Sequence, residues 1–538
     1  MQVCDIPPAG KRPVFYRFFE ILPGVLSWTI LLAPFWLSLI SPLVAAIATI
    51  AYIIVWFMKG LALDIRIVQG YRRMKKHQKI KWQKLIDELD SPQAAIEKYV
   101  HNRQALPFRW HYNNLVRQAA REDVLSSKDL YHAIIVAFYN ETRDTLEPTI
   151  QSILASNYDM EHVILFLAYE QRGGAASKQL AHELVAEYSN KFAHMQAVEH
   201  PVDMPGEVIG KGGNITFAGY ELQRYLDKKH IAYERVVVTT LDSDNHPDKA
   251  YLPILTYMYL ACPDRLRSSF QPIAMYLTNI WDVPAPMRVV ATASSIWNIA
   301  LSGRLHALRN FAAHAQGMAA LVQTDFWSTR TIVEDGHQYW RSYFRFDGKY
   351  MVYPIFVPIY QDAVLASTLK RTLKMQFVQL RRWAWGASDI AYVAYFGFIR
   401  RNRMSKYDLV AKLLRLIEGH VSWASASLVL AYAAMIPLHV ARNGRSSIVA
   451  DQLPKLAGNL QTLALVGVFL TMFVTLVTLP PRPLRYKRRR SFWMVVQWVY
   501  MPFTTILYNT LAALYSQTRL MTGRYIGKFD VTEKAVKK

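Results

Sequence analysis

The stretch whose reading decides the fold is "VVVTTLDSDNHPD", residues 236–248. Apolar and β-branched residues run without polar alternation into Asp242 and Asp244, which stand one residue apart. A strand with no polar alternation is covered on both faces, the pattern of a buried sheet. Paired negative charge at its end does nothing for packing. Two carboxylates at that spacing suit a hard divalent cation, Mg2+ or Mn2+, which completes its shell with water and phosphate oxygens. Either aspartate could equally cap a helix starting near Pro247. On these residues alone both readings stay open.

Working outward, "YHAIIVAF" (131–138) and "HVILFLAY" (162–169) are further uninterrupted apolar runs of strand length. Helix spacing follows each of them, at Leu146, Ile150, Ile153 and Leu154, and then over residues 175–192. Roughly residues 130–395 therefore predict alternating β and α elements and a mostly parallel sheet covered on both faces. Such sheets bind ligands beyond the carboxyl ends of their strands, where Asp242 and Asp244 lie. Other stretches carry chemistry. "YNET" (139–142) follows the first strand and precedes a helix. "IGKGGNITFAG" (209–219) puts Lys211 in a glycine-rich turn before a helix, where amides and an ammonium can meet phosphate. "IVEDGHQYW" (332–340) offers Glu334 and Asp335, and "VQLRRWAWG" (378–386) sets Arg381 and Arg382 beside Trp383 and Trp385. The tail reads "KFDVTEKAVKK" (528–538). Cys4 and Cys262 are the only cysteines, which excludes a disulfide framework, and no zinc-type Cys/His spacing or internal repeat is present.

The chain has 538 residues, too many for one ordinary domain, and a formal charge of +23. A basic excess points to nucleic acid, an anionic membrane surface or an anionic substrate; 52% hydrophobic residues favour the membrane over nucleic acid. Residues 22–40 and 43–58 are two uncharged apolar runs separated by Ser41-Pro42, and are read as a transmembrane hairpin. Residues 421–440 and 456–479 form a second pair. Basic residues flank the first pair, and "PPRPLRYKRRR" (480–490) follows the second with six basic residues and no acid, so those flanks belong in the cytosol. Residues 492–514, broken at Pro502, are read as an interfacial or re-entrant helix pair. The plain alternative for each run is a buried core helix.

These motifs together resemble the membrane-embedded, processive branch of family 2 glycosyltransferases, the cellulose, chitin and hyaluronan synthases and their bacterial relatives. "DSD" (242–244) matches that family's Asp-x-Asp, "KGGN" (211–214) its Lys-Ala-Gly-Asn-like turn, and "QLRRW" (379–383) its Gln-x-x-Arg-Trp in full. "VED" (333–335) matches Thr-Glu-Asp with Val for Thr, and "FDVTEK" (529–534) fits the gating loop of bacterial cellulose synthase. One place departs from the pattern. The acidic pair after the second strand, which contacts the nucleotide base, reads "LAYEQRGG" (167–174), with Glu170 as the nearest acid.

The resemblance implies an α/β GT-A-like nucleotide-sugar domain inserted between transmembrane helical hairpins. The organisation expected is an N-terminal transmembrane hairpin (1–60), a basic cytosolic connector (61–130), a GT-A-like domain with interfacial helices (131–400), a C-terminal hairpin with interfacial or re-entrant helices (401–515) and a cytosolic gating-loop-like tail (516–538). It implies a multi-pass protein of the inner or plasma membrane, its catalytic domain in the cytosol. The reaction implied is inverting transfer from a nucleotide sugar, a UDP-sugar in particular, onto a growing polysaccharide. Asp335 is then the base, beside Glu334. Asp242 and Asp244 hold Mg2+ or Mn2+ on the leaving diphosphate, with Lys211 and Arg382 as fixed positive charge. Glu170, Asp242 and Gln379 contact substrate, Trp383 offers a flat face to the acceptor sugar, and Phe529, Thr532 and Lys534 close over the nucleotide. Anionic lipids are expected partners and nucleic acid is not; a homo-oligomer is compatible with this reading. The rival reading is non-processive glycosylation of a lipid carrier on the cytosolic face, favoured by the small number of spans. A scaffold or transporter without catalysis would have no need of the acid pattern.

Overall fold

Uninterrupted apolar runs become strands because each has a helix layer on either side. Strands β1 (Tyr131–Phe138), β2 (Val163–Glu170) and β4 (Val236–Asp242) lie where the sequence predicts them. On one side, Ile134, Val136 and Phe138 of β1 pack in one core with Leu146, Ile150 and Ile153 of the helix Arg143–Leu154. On the other, Ala133, Ile135 and Ala137 pack with Ile215, Ala218, Leu222 and Leu226 of the helix Lys211–Lys228. The structure, a computed structural model, describes residues 5–122, 124–440 and 448–527.

The remaining strands are β3 (His194–His200), β5 (His246–Pro247), β6 (Ser268–Met275), β7 (His314–Gly317) and β8 (Met351–Tyr360). They form one eight-stranded sheet in the order β3-β2-β1-β4-β7-β6-β8-β5. The half β3-β2-β1-β4 is parallel throughout, as expected. The other half is mixed: β7 pairs antiparallel with β4 and β6, and β5 antiparallel with β8, while β6 and β8 are parallel. The expectation of a mostly parallel sheet thus holds for one half only. The chain steps outward from β1 to β2 and β3, then returns to place β4 on the other side of β1. That reversal opens a crevice at the carboxyl ends of β1 and β4.

The chain divides into two compact units. The first comprises residues 1–5, 72–275 and 302–361, and carries the sheet. Within it the stretch expected as a charged connector forms three helices, Trp82–Asp90, Pro92–His101 and Arg109–Ala119. Trp82, Leu85, Ile86 and Leu89 recur at helical spacing and join the core of the sheet with Tyr99 and Leu115. Glu88 accepts hydrogen bonds from Tyr99 (2.7 Å) and pairs with His111 (2.8 Å). Burial would raise its carboxyl, but the bonds from Tyr99, His111 and Lys98 outweigh that and hold it below the usual range.

The second unit comprises residues 6–71, 276–301 and 362–538. Four helices, Val14–Ile40, Pro42–His77, Lys406–Val440 and Gln452–Thr478, are long and apolar enough to cross a membrane. The second runs on past the apolar run as far as His77. Inside this unit Ala46 packs with Leu453, and Leu31 with Ala424, Val429 and Ala513. Lys59 pairs with Glu418 between two of the long helices. The stretch expected as a broken helix pair is helical without a gap from Arg489 to Met521, through a 3-10 turn, a short helix with Pro502 in its first turn, and a π-helical turn. Proline is tolerated there because an N–H in the first helical turn has no partner to lose.

Candidate active site

β4 ends at Asp242 and turns at once. The Asn245 N–H donates to the Asp242 carbonyl (3.1 Å), Asn245 Oδ1 accepts the Asp242 N–H (3.1 Å), and Asn245 Nδ2 donates to Asp244 Oδ1 (3.2 Å). This turn sets Asp244 in a buried position and leaves the Asp242 side chain partly open, at 32% exposure. The helix nearby begins at Tyr251, and the acid at its start is Asp248, whose Oδ1 accepts the Ala250 N–H (3.0 Å). Pro247 belongs to β5. Neither Asp242 nor Asp244 caps this helix, whose N-cap is Ala250 with no side-chain cap bond.

Each residue of "KGGN" has a separate reason to be what it is. Lys211 Nζ lies 2.6 Å from Asp242 Oδ1 and donates to the Ala312 carbonyl (3.1 Å). A Cβ on Gly212 would lie 2.5 Å from the Ser328 carbonyl oxygen and 3.2 Å from Cβ of Glu334. A Cβ on Gly213 would lie 2.5 Å from Glu207 Oε2. Asn214 Nδ2 donates to the Ala168 carbonyl (2.9 Å) near the end of β2. The glycines therefore let the start of this helix approach Glu334 on one side and Glu207 on the other.

Glu334 and Asp335 open the helix Glu334–Arg345. Glu334 is buried, while Asp335 is partly exposed and its Oδ1 accepts the Gly336 N–H (2.7 Å). Carboxylates in a first turn face the amide end of the helix dipole. Nearby His314 is neutral. Its Nδ1–H bonds the Phe311 carbonyl (2.7 Å) and its Nε2 accepts the Trp327 indole N–H (3.1 Å). Burial, with the charge of Lys211 adding to it, lowers this imidazole to about 4.

Glu170, at the end of β2, is held by Arg172, whose Nη2 lies 2.7 Å and Nε 3.0 Å from Oε2. Sequence reading missed its other partner, His200 at the end of β3, which the strand register sets directly across from Glu170. The His200 ring stands between Glu170 (3.5 Å) and Glu207 (3.1 Å). Burial would lower its pKa, but the two carboxylates outweigh that and raise it to about 9. A raised histidine stabilises the fold fully below its unfolded value of about 6.5, and the contribution is lost as pH climbs through about 9. The thermal midpoint of the purified protein is expected to fall across that window, and His200→Gln to flatten the fall. An unchanged slope in the variant would remove His200 as the group responsible.

Gln379, Arg382 and Trp383 belong to the second unit, on the helix Leu369–Ala384. Gln379 and Trp383 line one small recess with Tyr276, Asp362 and Gln376. The Trp383 and Tyr276 rings lie 5.6 Å apart, and Gln376 Nε2 donates to Gln379 Oε1 (3.1 Å). Arg382 is partly exposed on the same helix. The structure thus groups Lys211, Asp242, Asp244, Glu334 and Asp335 in the first unit, with Glu170 in a separate charged cluster there. Phe529, Thr532 and Lys534 lie outside the described residues.

No protein-family model matches this chain, and no curated protein matches it in sequence. Among solved structures it is similar to a mannosyltransferase from Pyrobaculum calidifontis in complex with GDP-Man and Mn2+. That match has 15% identity and a TM-score of 0.39, and covers 73% of this chain and 98% of that one. It is also similar to S. aureus TarS, at 10% identity and a TM-score of 0.33, covering 64% of this chain and 55% of that one. A third match is residues 1–349 of TarS in complex with UDP, at 9% identity and a TM-score of 0.34, covering 75% and 94%. Scores this low say nothing of the chemistry of this chain.

Proposed function

We propose that the protein is an inverting, membrane-embedded family 2 glycosyltransferase that moves a sugar from a nucleotide sugar, a UDP-sugar in particular, onto a polysaccharide. The observation that carries this reading is the junction at Gly212. There Lys211, bonded to Asp242 at the end of β4, adjoins the helix start that carries Glu334 and Asp335. Support comes from an ammonium bonded to the carboxylate at the end of β4 and, one residue on, a glycine in close approach to Glu334, at the kind of strand end where open α/β sheets bind ligands.

The residues present fit a divalent cation. Asp242 and Asp244 offer only hard oxygen donors, and a strand-end carboxylate already faces one positive charge, that of Lys211. Mg2+ or Mn2+ needs one or two such carboxylates and takes its other ligands from water and phosphate. Among the described residues no group of three or more His, Cys, Asp or Glu side chains is placed to bind a metal, so the substrate's diphosphate would complete the shell. Bound there, the ion would supply Lewis-acid neutralisation of the leaving diphosphate. Lys211 adds a fixed charge to the same oxygens. Asp335 takes the proton of the acceptor hydroxyl as that oxygen attacks the anomeric carbon. Trp383 and Tyr276 offer flat faces to a sugar ring, with Gln379 beside them as a donor and acceptor.

The four long apolar helices support a multi-pass membrane protein, and the basic flanks of the apolar runs are the reason to put its catalytic unit in the cytosol. Lys487, Arg488 and Arg489 are exposed just before the exposed Phe492 and Trp493, which suits contact with anionic lipid. Reporter fusions after Lys84 and after Arg490 are both expected to report cytosol, and a fusion within residues 442–451 the opposite side. An outside report after Arg490 would overturn the four-span arrangement. Four spans make a narrow conduit, which favours the second reading, non-processive glycosylation of a lipid carrier. The size of the product separates the two.

A further inference from the structure

The turn "YNET" (139–142) follows β1, and the chemistry above gives it no role. Its Glu141 carboxylate is engaged on both oxygens. Oε2 accepts the backbone N–H groups of Tyr139 (2.7 Å) and Asn140 (3.1 Å). Oε1 accepts the Ser243 hydroxyl (3.0 Å). Ser243 is the fully buried residue between the two aspartates. Its carbonyl oxygen is taken in turn by the hydroxyl of Thr149 (2.7 Å), itself fully buried on the helix Arg143–Leu154. The middle residue of Asp-Ser-Asp is thus gripped by its side chain and by its main chain. Both grips come from the single segment that leaves β1.

A cap for the end of β1 would need only the two amide contacts. The third contact, to Ser243, reaches across the strand reversal and serves the turn instead. A carboxylate in this turn is costly unless its charge is used, and here two amides and a hydroxyl use it. We infer that Glu141 is a positioning residue for the cation site: by holding Ser243 it fixes the turn from which Asp242 and Asp244 present their oxygens to one metal ion. This rests on the metal reading of the aspartate pair given above. Glu141 touches neither metal nor sugar in this account; it acts through Ser243.

The test is Mn2+ uptake by the purified full-length protein in the presence of UDP, read from the loss of the free-ion paramagnetic resonance signal. Glu141→Gln keeps the shape of the side chain but removes its negative charge, so the bonds from the two amides and the Ser243 hydroxyl lose their charge assistance. It is expected to raise the Mn2+ concentration for half-saturation about tenfold. Ser243→Ala is expected to raise it about threefold or more. The double variant should be no worse than Glu141→Gln, because both changes break the same link. Thermal midpoints taken without metal report general damage to the fold, and Ser243→Ala keeps the test usable if Glu141→Gln does not fold. Additive effects of the two changes, or half-saturation unchanged in Ser243→Ala, would overturn the inference. Failure of the wild type itself to take up Mn2+ would instead overturn the metal reading of Asp242 and Asp244, and the positioning role with it.

Discussion

Asp335→Asn is expected to lose sugar transfer by at least about 10²-fold while nucleotide-sugar binding changes by less than about threefold. The expectation comes from the contrast between the two acids that open the helix Glu334–Arg345. Glu334 is closed in beside Gly212, whereas Asp335 is partly exposed, with the Gly336 N–H fixing one oxygen of its carboxylate. An amide of the same shape keeps that hydrogen-bonded position and cannot take a proton. The effect should therefore fall on kcat and spare binding, the pattern of a group that matters in the transition state. Kinetics with saturating nucleotide sugar, paired with calorimetric binding, check it. Turnover within about threefold of wild type would remove Asp335 as the base.

Chelation is the second large effect. EDTA is expected to abolish transfer, and Mg2+ or Mn2+ to restore it. Without the ion the leaving diphosphate loses its divalent countercharge, and the two aspartates then repel the phosphates they would otherwise serve. Asp244→Ala should weaken binding of the nucleoside diphosphate about tenfold in the presence of metal and change it little in its absence. Full activity in chelator would rule out metal assistance.

The parallel half of the sheet was legible in the sequence because its strands are buried on both faces, so that β1, β2 and β4 read as unbroken apolar runs. β3 was not, because it is an edge strand with polar residues and a mixed burial pattern. β6 and β8 carry prolines and β7 has four residues, so periodicity has little to act on. The helices of residues 82–119 show the proper spacing at Trp82, Leu85, Ile86 and Leu89, yet their charged outer faces made them read as a connector. At the site, Lys211, Asp242, Glu334 and Asp335 stood out as short motifs of chemically apt residues. His200, Glu207 and Ser243 did not. Their roles come from strand register, close approach to a glycine, and a hydrogen bond across the strand reversal, and a sequence pattern carries none of these.

The proposed activity is glycosyl transfer from a nucleotide sugar to a polysaccharide, with Lys211, Asp242 and Asp335 in the roles given above. The most direct measurement incubates the purified, detergent-solubilised protein with Mn2+ and a panel of radiolabelled nucleotide sugars, then sizes the labelled product. One nucleotide sugar is expected to yield label in high-molecular-weight polysaccharide, with nucleoside diphosphate released in equal amount and at least about 10²-fold less product from Asp335→Asn. Label confined to a small lipid-soluble product would contradict the polysaccharide acceptor. Absence of transfer from every nucleotide sugar would contradict the claim as a whole.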